Sequence, residues 1–360
     1  MVGDRYGASD GGDYDRGTVS AVTARVPAKV NLQLSVGPRR SDGYHDLVTV
    51  FHALALFDEV TVSPADTDSV LVTGEGAGRV PLDSGNLAAR AVAALVEAVG
   101  PGVQESPGVA IEIRKRIPVA AGLAGGSADA AGALVACNEL WDAGLSAQEL
   151  AEIASQVGSD VGFALLGGTA IGLGRGDQVT PALATGTYHW VLAFAAEPLS
   201  TPAVYAACDR LREAQAAAPA APAAPAAAAV PDVPGSVRTA AAGAAGPPQL
   251  NTRLMAALRS GDPAELGPLL SNDLQPAAIS LLPRLRQALA AGQENGALGA
   301  IVSGSGPTCA YLARDGRHAR DLAVALTGTG VCRSVVTVTG PAPGASVISV
   351  PADGRPVRRP

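Results

Sequence analysis

Apolar and β-branched residues alternate through TVSAVTARVPAKVNLQLSVG (18–37), the period-two pattern of a strand with one buried face. The polar turn PRRSDGYHD separates it from LVTVFHALALFDEVTVSP, which is long enough for a second strand and a third. A short strand and a glycine-rich turn follow over 70–80. From 86 to 99 the apolar spacing becomes helical (Leu87, Ala91, Ala94, Leu95) and stops at Gly100-Pro101. A strand over 109–116 runs through Ile117-Pro118 into PVAAGLAGGSADAA, and helices are predicted over 128–141 and 146–157. The second of these opens on a capping box, Ser146 with Glu149.

Residues 158–177 combine a polar start holding Asp160 with an apolar stretch and a glycine-punctuated hairpin. YHWVLAFA (188–195) is a buried strand that opens a second domain. Short helices are predicted over 254–258, 266–270, 279–291 and 321–326. GAIVSGSGPTCAYL (299–312) reads as strand, glycine turn and strand, and 332–339 as a last strand. Strands and helices do not alternate as βαβ units, so the class is α+β, with domains over 20–185 and 186–340. Residues 1–19 and 341–360 lack periodicity and are expected to be disordered tails. The Ala/Pro-rich segment 214–248 can neither continue a helix nor anchor a core, and is expected to be a flexible insertion.

Composition narrows the function. A net charge of −7 argues against a broad nucleic-acid surface. No apolar run reaches a membrane span and the N-terminal residues carry acid where a signal peptide is basic, so a cytoplasmic protein without membrane partners is expected. The 4 cysteines have no CxxC spacing and fit reduced, buried thiols. Of the 26 basic residues only Lys29 and Lys115 are lysines, which singles out each of them.

The densest chemistry lies in 118–128. Gly122, Gly125 and Gly126 allow positive φ and close approach of a ligand, and the helix behind them aims unpaired N–H groups and its dipole at the loop. Such a run fits an anion-gripping turn, and equally a tight strand-to-helix turn that holds nothing. It lacks the lysine of a GxxxxGK[ST] loop and the spacing of GxGxxG, so neither common nucleotide motif applies.

PVAAGLAGGSADAA resembles the central motif of the GHMP kinases, the family of galactokinase, homoserine kinase and mevalonate kinase. PAKVNLQL resembles its first motif and IVSGSGPTCAYL its third, in the right order. The resemblance covers nearly everything except the two tails and the Ala/Pro segment. It implies an N-terminal domain like domain 2 of ribosomal protein S5, a ferredoxin-like C-terminal domain and an active site in the cleft between them. It also implies ATP and Mg²⁺ as cofactors and a small-molecule acceptor. Within the family, RRSDGYHDL and SDVGFALLGG point to the branch acting on diphosphocytidyl methylerythritol, transferring the ATP γ-phosphate to its 2-hydroxyl in the non-mevalonate route to isoprenoids. The alternatives are a homoserine- or mevalonate-type kinase, or a non-catalytic nucleotide-binding or S5-like interaction protein. No oligomeric state is implied.

The resemblance also assigns roles. Lys29 would act as a point charge beside the transferring group, and Asp160 would accept the proton of the substrate hydroxyl. The phosphates would lie on the loop formed by Pro118, Val119, Ala120, Ala121, Gly122, Leu123 and Ala124, and on Gly125, Gly126, Ser127 and Ala128 where the helix starts. Ser127 is the candidate Mg²⁺ ligand. Asn31 would bind near the acceptor hydroxyl, with Gly304 and Ser305 of the third motif. The cytosine would lie between Tyr44 and Tyr205, with Pro202 closing that side and His45 reading the base edge. The chain departs from the family pattern at Gly162, where proline is usual, at Ala121 and Ala124 where glycine is frequent, and at Ala128 where serine is common. These imply a looser backbone beyond Asp160, a stiffer phosphate cradle and one hydroxyl fewer, with activity retained.

Overall fold

The computed structural model describes residues 21–100, 107–217 and 246–348. The expected tail over 1–19, residues 218–245 of the Ala/Pro segment, and 349–360 lie outside the described residues. The chain begins with β1 (Val22–Arg39), β2 (His45–Ala65), β3 (Ser69–Gly74), α1 (Leu87–Val99), β4 (Gly108–Lys115) and α2 (Gly125–Leu140). It continues with α3 (Ala147–Val157), α4 (Val161–Leu166), β5 (Thr169–Gly174), β6 (Gln178–Pro181), β7 (Tyr188–Phe194) and α5 (Thr201–Ala217). After residue 246 come α6 (Thr252–Ser260), α7 (Pro263–Leu266), β8 (Ser271–Asn272), α8 (Gln275–Leu281) and α9 (Arg284–Glu294). Last are β9 (Gly299–Val302), β10 (Cys309–Ala313), α10 (Gly316–Thr329), β11 (Ser334–Gly340) and β12 (Ser346–Ile348).

The first sheet runs β12-β1-β2-β4-β3, with β5 also on β2, β6 on β5 and β8 on β1. Apolar residues space two faces here: Ala24, Val26, Ala28, Val30 and Leu32 of β1 join the main core with Ala130, Ala133, Leu134 and Cys137 of α2. The stretch read as two strands is one, β2. Its start pairs with β5 and its end with β4. The second sheet, β11-β7-β10-β9, is antiparallel throughout. Counted within that domain the order is fourth, first, third, second, with α5 to α9 in the first crossover and α10 in the second, a ferredoxin-like arrangement.

Strand β7 explains why the two halves stay together. Tyr188, Trp190, Leu192 and Phe194 point into the core shared with the first sheet, whereas Val191 and Ala193 face the helices of the second half. Three other expectations change. Helix α5 extends to Ala217, so the Ala/Pro segment does not begin at 214 as a loop. The helix expected over 279–291 is two, α8 and α9, because Pro283 starts a new helix and cannot continue an old one. The segment after Pro341 is not loose up to Ile348. It bridges Gly167 to Pro343, donates from Ala345 N to Ala164 O and adds β12 to β1.

His52 of β2 is fully buried between the two halves, its ring edge-on to Tyr188 at 5.6 Å and its Nδ1 2.8 Å from Thr169 Oγ1. Burial pushes its pKa down from 6.5 to about 3. Between those values the unfolded chain takes up a proton that native His52 refuses, so stability is full above pH 6.5 and falls as the pH drops. Urea unfolding of His52→Leu between pH 7 and 4 should therefore show a shallower loss of stability than the parent. An identical slope would assign the acid sensitivity to other groups.

Candidate active site

The site is assembled where β1 passes under the loop between β4 and α2. Within β1, Lys29, Asn31 and Gln33 alternate with core residues and share the face turned away from α2. Irregularities in the β1–β2 register fall between Pro27 and Ala28 and between Asn31 and Gln33, on either side of this pair. Lys29 is buried, not solvated: its Nζ donates to Asn31 Oδ1 (2.7 Å) and to Gly122 O (3.0 Å) and stands 3.8 Å from Asp160 Oδ2. Asn31 in turn donates to Thr49 Oγ1 at 2.8 Å, and Thr49 donates to Gln33 O at 2.7 Å. Burial lowers the pKa of Lys29, with Asp160 opposing that shift.

Asp160 occupies the N-cap position of α4 but makes no side-chain capping bond, which leaves its carboxylate for Lys29. Gly162 leaves Asp160 within reach of Lys29 in this structure. It lies in the first turn of α4, and a Cβ added there would meet only Val179 Cγ2, at 3.9 Å.

The loop itself differs from the expectation. α2 starts at Gly125, not at 128, and neither Gly125 nor Gly126 has positive φ. The left-handed positions are Ala120 (φ 54°), Gly122 (φ 75°) and Ala124 (φ 58°), so alanine takes the conformation it was expected to refuse. That costs about 1–2 kcal/mol per alanine. Gly122 is required on a second count: a Cβ there would sit 2.1 Å from Ser303 O, because the third-motif turn docks onto this loop. Ser303 Oγ donates to Gly122 O (3.0 Å), Thr308 N donates to Ala121 O (3.3 Å), and Ser305 Oγ lies 2.8 Å from Thr201 Oγ1.

Both ends of the loop are tied to one buried group that the sequence flagged only by its rarity. Lys115 Nζ contacts Asp58 Oδ2 at 2.5 Å and Asp129 Oδ2 at 2.6 Å, and donates to Gly125 O at 3.1 Å. Asp58 Oδ1 accepts from Arg116 N and Ile117 N, 2.5 and 2.8 Å away. Burial would lower the pKa of Lys115, but its two carboxylates outweigh that and raise it. Asp129 is pushed up by burial, against the pull of Lys115 and with Asp58 adding to the rise.

One cavity of about 1060 Å³ takes in Lys29, Asn31, Asp160, Gly304 and Ser305, the loop residues Ala120, Ala121, Gly122, Ala124, Gly125 and Gly126, and also Tyr44, His45, Pro202 and Tyr205. Five of the expected phosphate-loop residues are not on its wall. Leu123 and Ala128 are core residues, Pro118 and Val119 line a separate cleft of about 170 Å³, and Ser127 is half-buried in the first turn of α2. A hydroxyl at 128 would thus face the core rather than a phosphate. Ser127 does not fit a protein-held magnesium site, and no group of three acidic, His or Cys side chains suited to a metal occurs among the described residues. At the other end of the cavity Tyr44 is exposed beneath Arg175, whose guanidinium carbon is 5.2 Å from the ring centroid. His45 is buried against Tyr205, ring centroids 5.1 Å apart, and its Nε2 is 2.9 Å from Asp209 Oδ1. Tyr205 is held protonated by burial and by Asp160 nearby. Sequence reasoning missed Thr49, Asp209 and the partners of Lys115. Asp209 follows Tyr205 by four residues on one helix, the single local signal available.

Two family models match this chain: GHMP kinases N terminal domain over residues 86–168 and GHMP kinases C terminal over 254–332. They cover the helix-capped loop and the second-domain motif described above, and the fold and site are those of a small-molecule kinase of this class. The 4-diphosphocytidyl-2-C-methyl-D-erythritol kinase of Mycolicibacterium smegmatis is 51% identical over 346 residues, 96% of this chain and 98% of its own. The enzyme of the same name from Nocardia farcinica is 53% identical over 331 residues, 91% and 97% of the two chains. A solved 4-(cytidine 5'-diphospho)-2C-methyl-D-erythritol kinase superposes with a TM-score of 0.64 at 33% identity, covering 89% of this chain and 99% of its own. The chain belongs to the GHMP kinases, in the branch formed by these relatives.

Replacing Lys115 leaves two acidic side chains buried with no cation. Lys115→Met should lower unfolding stability by roughly 3–5 kcal/mol in urea titration. A loss below about 1 kcal/mol, the scale of an exposed pair, would mean that the triad does not hold the loop.

Proposed function

We propose that this chain transfers the γ-phosphoryl group of ATP to the 2-hydroxyl of 4-diphosphocytidyl-2-C-methyl-D-erythritol, in the non-mevalonate route to isoprenoid precursors. The observation that carries the proposal is the single cavity in which a helix-capped loop, the Lys29–Asp160 pair and an aromatic subsite at Tyr44, His45 and Tyr205 follow one another. At about 1060 Å³ it is at the upper end of small-molecule sites, as two ligands need.

The roles follow from where charge moves. Phosphoryl transfer breaks the bond between the γ-phosphorus and the oxygen bridging to the β-phosphate, and forms one to the substrate oxygen. Backbone N–H groups at the start of α2 hold the phosphates, with the helix dipole behind them. Lys29, fixed by Asn31 and Gly122 O, places one compact positive charge by the transferring group. Asp160 takes the proton leaving the 2-hydroxyl. At 3.8 Å its carboxylate is close enough to Lys29 to be oriented, and a hydroxyl can meet both groups from the side. Asn31 binds near the acceptor hydroxyl, with Gly304 and Ser305 closing the wall above it. Any divalent ion enters on the nucleotide's own phosphates. The cytosine takes the aromatic end, beside Tyr44, Pro202 and Tyr205 with His45 at its edge, and the protein works as a soluble-substrate enzyme.

Turnover with ATP should be found for the diphosphocytidyl acceptor and not for homoserine or mevalonate; transfer to either of those, or to none of the three, would reject the assignment. Asp160→Asn should lower kcat by roughly 10²–10⁴ while ATP affinity, measured by calorimetry, changes little. Equal loss of both would make Asp160 structural. Because burial lowers the pKa of Lys29, the fall of kcat on the alkaline side should begin below the ordinary lysine range of about 10.4. A limb at or above that value would contradict a buried catalytic ammonium.

A further inference from the structure

Helix α5 grips the cytidine end of the cavity through three residues spaced by one turn each. Tyr205 lies against the His45 ring, with centroids 5.1 Å apart. Asp209, four residues on, places Oδ1 2.9 Å from His45 Nε2. Arg212, the next turn, donates to Val36 O at 2.7 Å and Gly37 O at 2.9 Å, locking the helix to the end of β1 from which the turn carrying His45 departs. Arg212 also faces Asp273 at 3.6 Å, and Asp273 accepts from Val36 N at 2.9 Å. The helix is therefore fixed on the same backbone that carries the histidine, and His45 itself is only 6% exposed.

A carboxylate can only accept hydrogen bonds, so the proton in the contact with Asp209 belongs to His45 Nε2. In the neutral ring the other nitrogen, Nδ1, is then a bare acceptor. Among the described residues Nδ1 has no hydrogen-bond partner, and it is not one of the buried atoms left unpaired, so it is accessible on a residue that lines the cavity together with Asp209.

We propose that Asp209 is a positioning residue for base selection: by holding the His45 proton on Nε2 it keeps Nδ1 an acceptor for the exocyclic amine of cytosine. Cytosine offers an N–H donor at its 4-position, where uracil offers a carbonyl oxygen. An acceptor held at that point pairs with the first and is set lone pair to lone pair against the second. Without Asp209 the imidazole can carry its proton on Nδ1 and present a donor, which suits the uracil oxygen. The discrimination thus comes from a residue on another element, acting through the histidine.

The inference rests on the functional reading above, and the test separates the two. The full chain and its Asp209→Ala and Asp209→Asn variants are assayed with the diphosphocytidyl acceptor and its uridine counterpart, and ¹⁵N shifts of the His45 ring are recorded at pH 8. The parent should favour the cytidine substrate, with the ring proton on Nε2. Asp209→Ala should reduce the cytidine-to-uridine ratio of kcat/KM by about tenfold or more, mainly through KM, the scale of one lost hydrogen bond. Asp209→Asn, which keeps an acceptor oxygen in place, should retain more of the ratio. A ratio unchanged in Asp209→Ala, or a ring tautomer the same with and without the carboxylate, overturns the proposal. Failure of the parent to phosphorylate the cytidine substrate overturns the functional reading instead, while the ring shifts still decide what Asp209 does to His45.

Discussion

The position of the loop between β4 and α2 depends on Lys115 and the two acidic side chains that surround it. Asp58 comes from β2 and Asp129 from α2, and Lys115 ends the strand between them, so one buried contact set joins three elements. Asp58 also takes the N–H groups of Arg116 and Ile117, and Lys115 takes the carbonyl of Gly125. The loop therefore leaves the sheet and enters the helix at fixed points, and the left-handed turns at Ala120, Gly122 and Ala124 are what the residues between them adopt to span the gap. A loop with free ends could relax out of that strain; one pinned at both ends keeps it.

From that pinned loop the rest of the site is reached through one carbonyl. Gly122 O accepts from Lys29 Nζ and from Ser303 Oγ, so the first-motif lysine and the third-motif turn meet at a single atom of the second motif. Asn272 holds the same turn from below, donating to Val302 O and Gly304 O at 2.7 Å each. The acid opposite is placed just as indirectly. Asp160 opens α4, and the segment after β11 returns across the first domain to bond Ala164 and to fill the gap at Gly344 beside Leu165. Lys29 and Asp160 thus belong to the first domain by sequence but keep their separation through contacts supplied by the second.

Much of this was legible in the sequence where the information is local. The period-two alternation marked β1, the continuous apolar run marked β7, the Ser146–Glu149 box marked the start of α3, and the resemblance to a known family singled out Lys29, the loop and Asp160 together. What escaped depends on partners distant in the chain. Nothing near Lys115 says that its counter-charges lie 57 and 14 residues away, and nothing near His45 names Asp209, 164 residues on. The φ values in the loop escaped for a related reason: glycine content says where positive φ is cheap, while the pinned ends decide where it falls. At Gly125 and Gly126 the missing side chain serves packing instead, against Ile117 and Leu87.

The two lysines of the chain are both buried, both beside the same loop and both faced by aspartate, yet only one is suited to chemistry. The difference lies in distance. Lys115 is in direct contact with two carboxyl groups at 2.5 and 2.6 Å and spends a further donor on a carbonyl, so its hydrogen-bonding capacity is full and its charge is matched. Lys29 gives two donors to neutral oxygens and meets its one carboxylate only at 3.8 Å, which leaves a third donor and a more loosely paired charge at the cavity wall. Burial without full compensation is costly, and it is what makes a charge available to an incoming anion. An anion arriving beside Lys29 would meet a donor that the fold leaves free, whereas at Lys115 the fold has already filled all three.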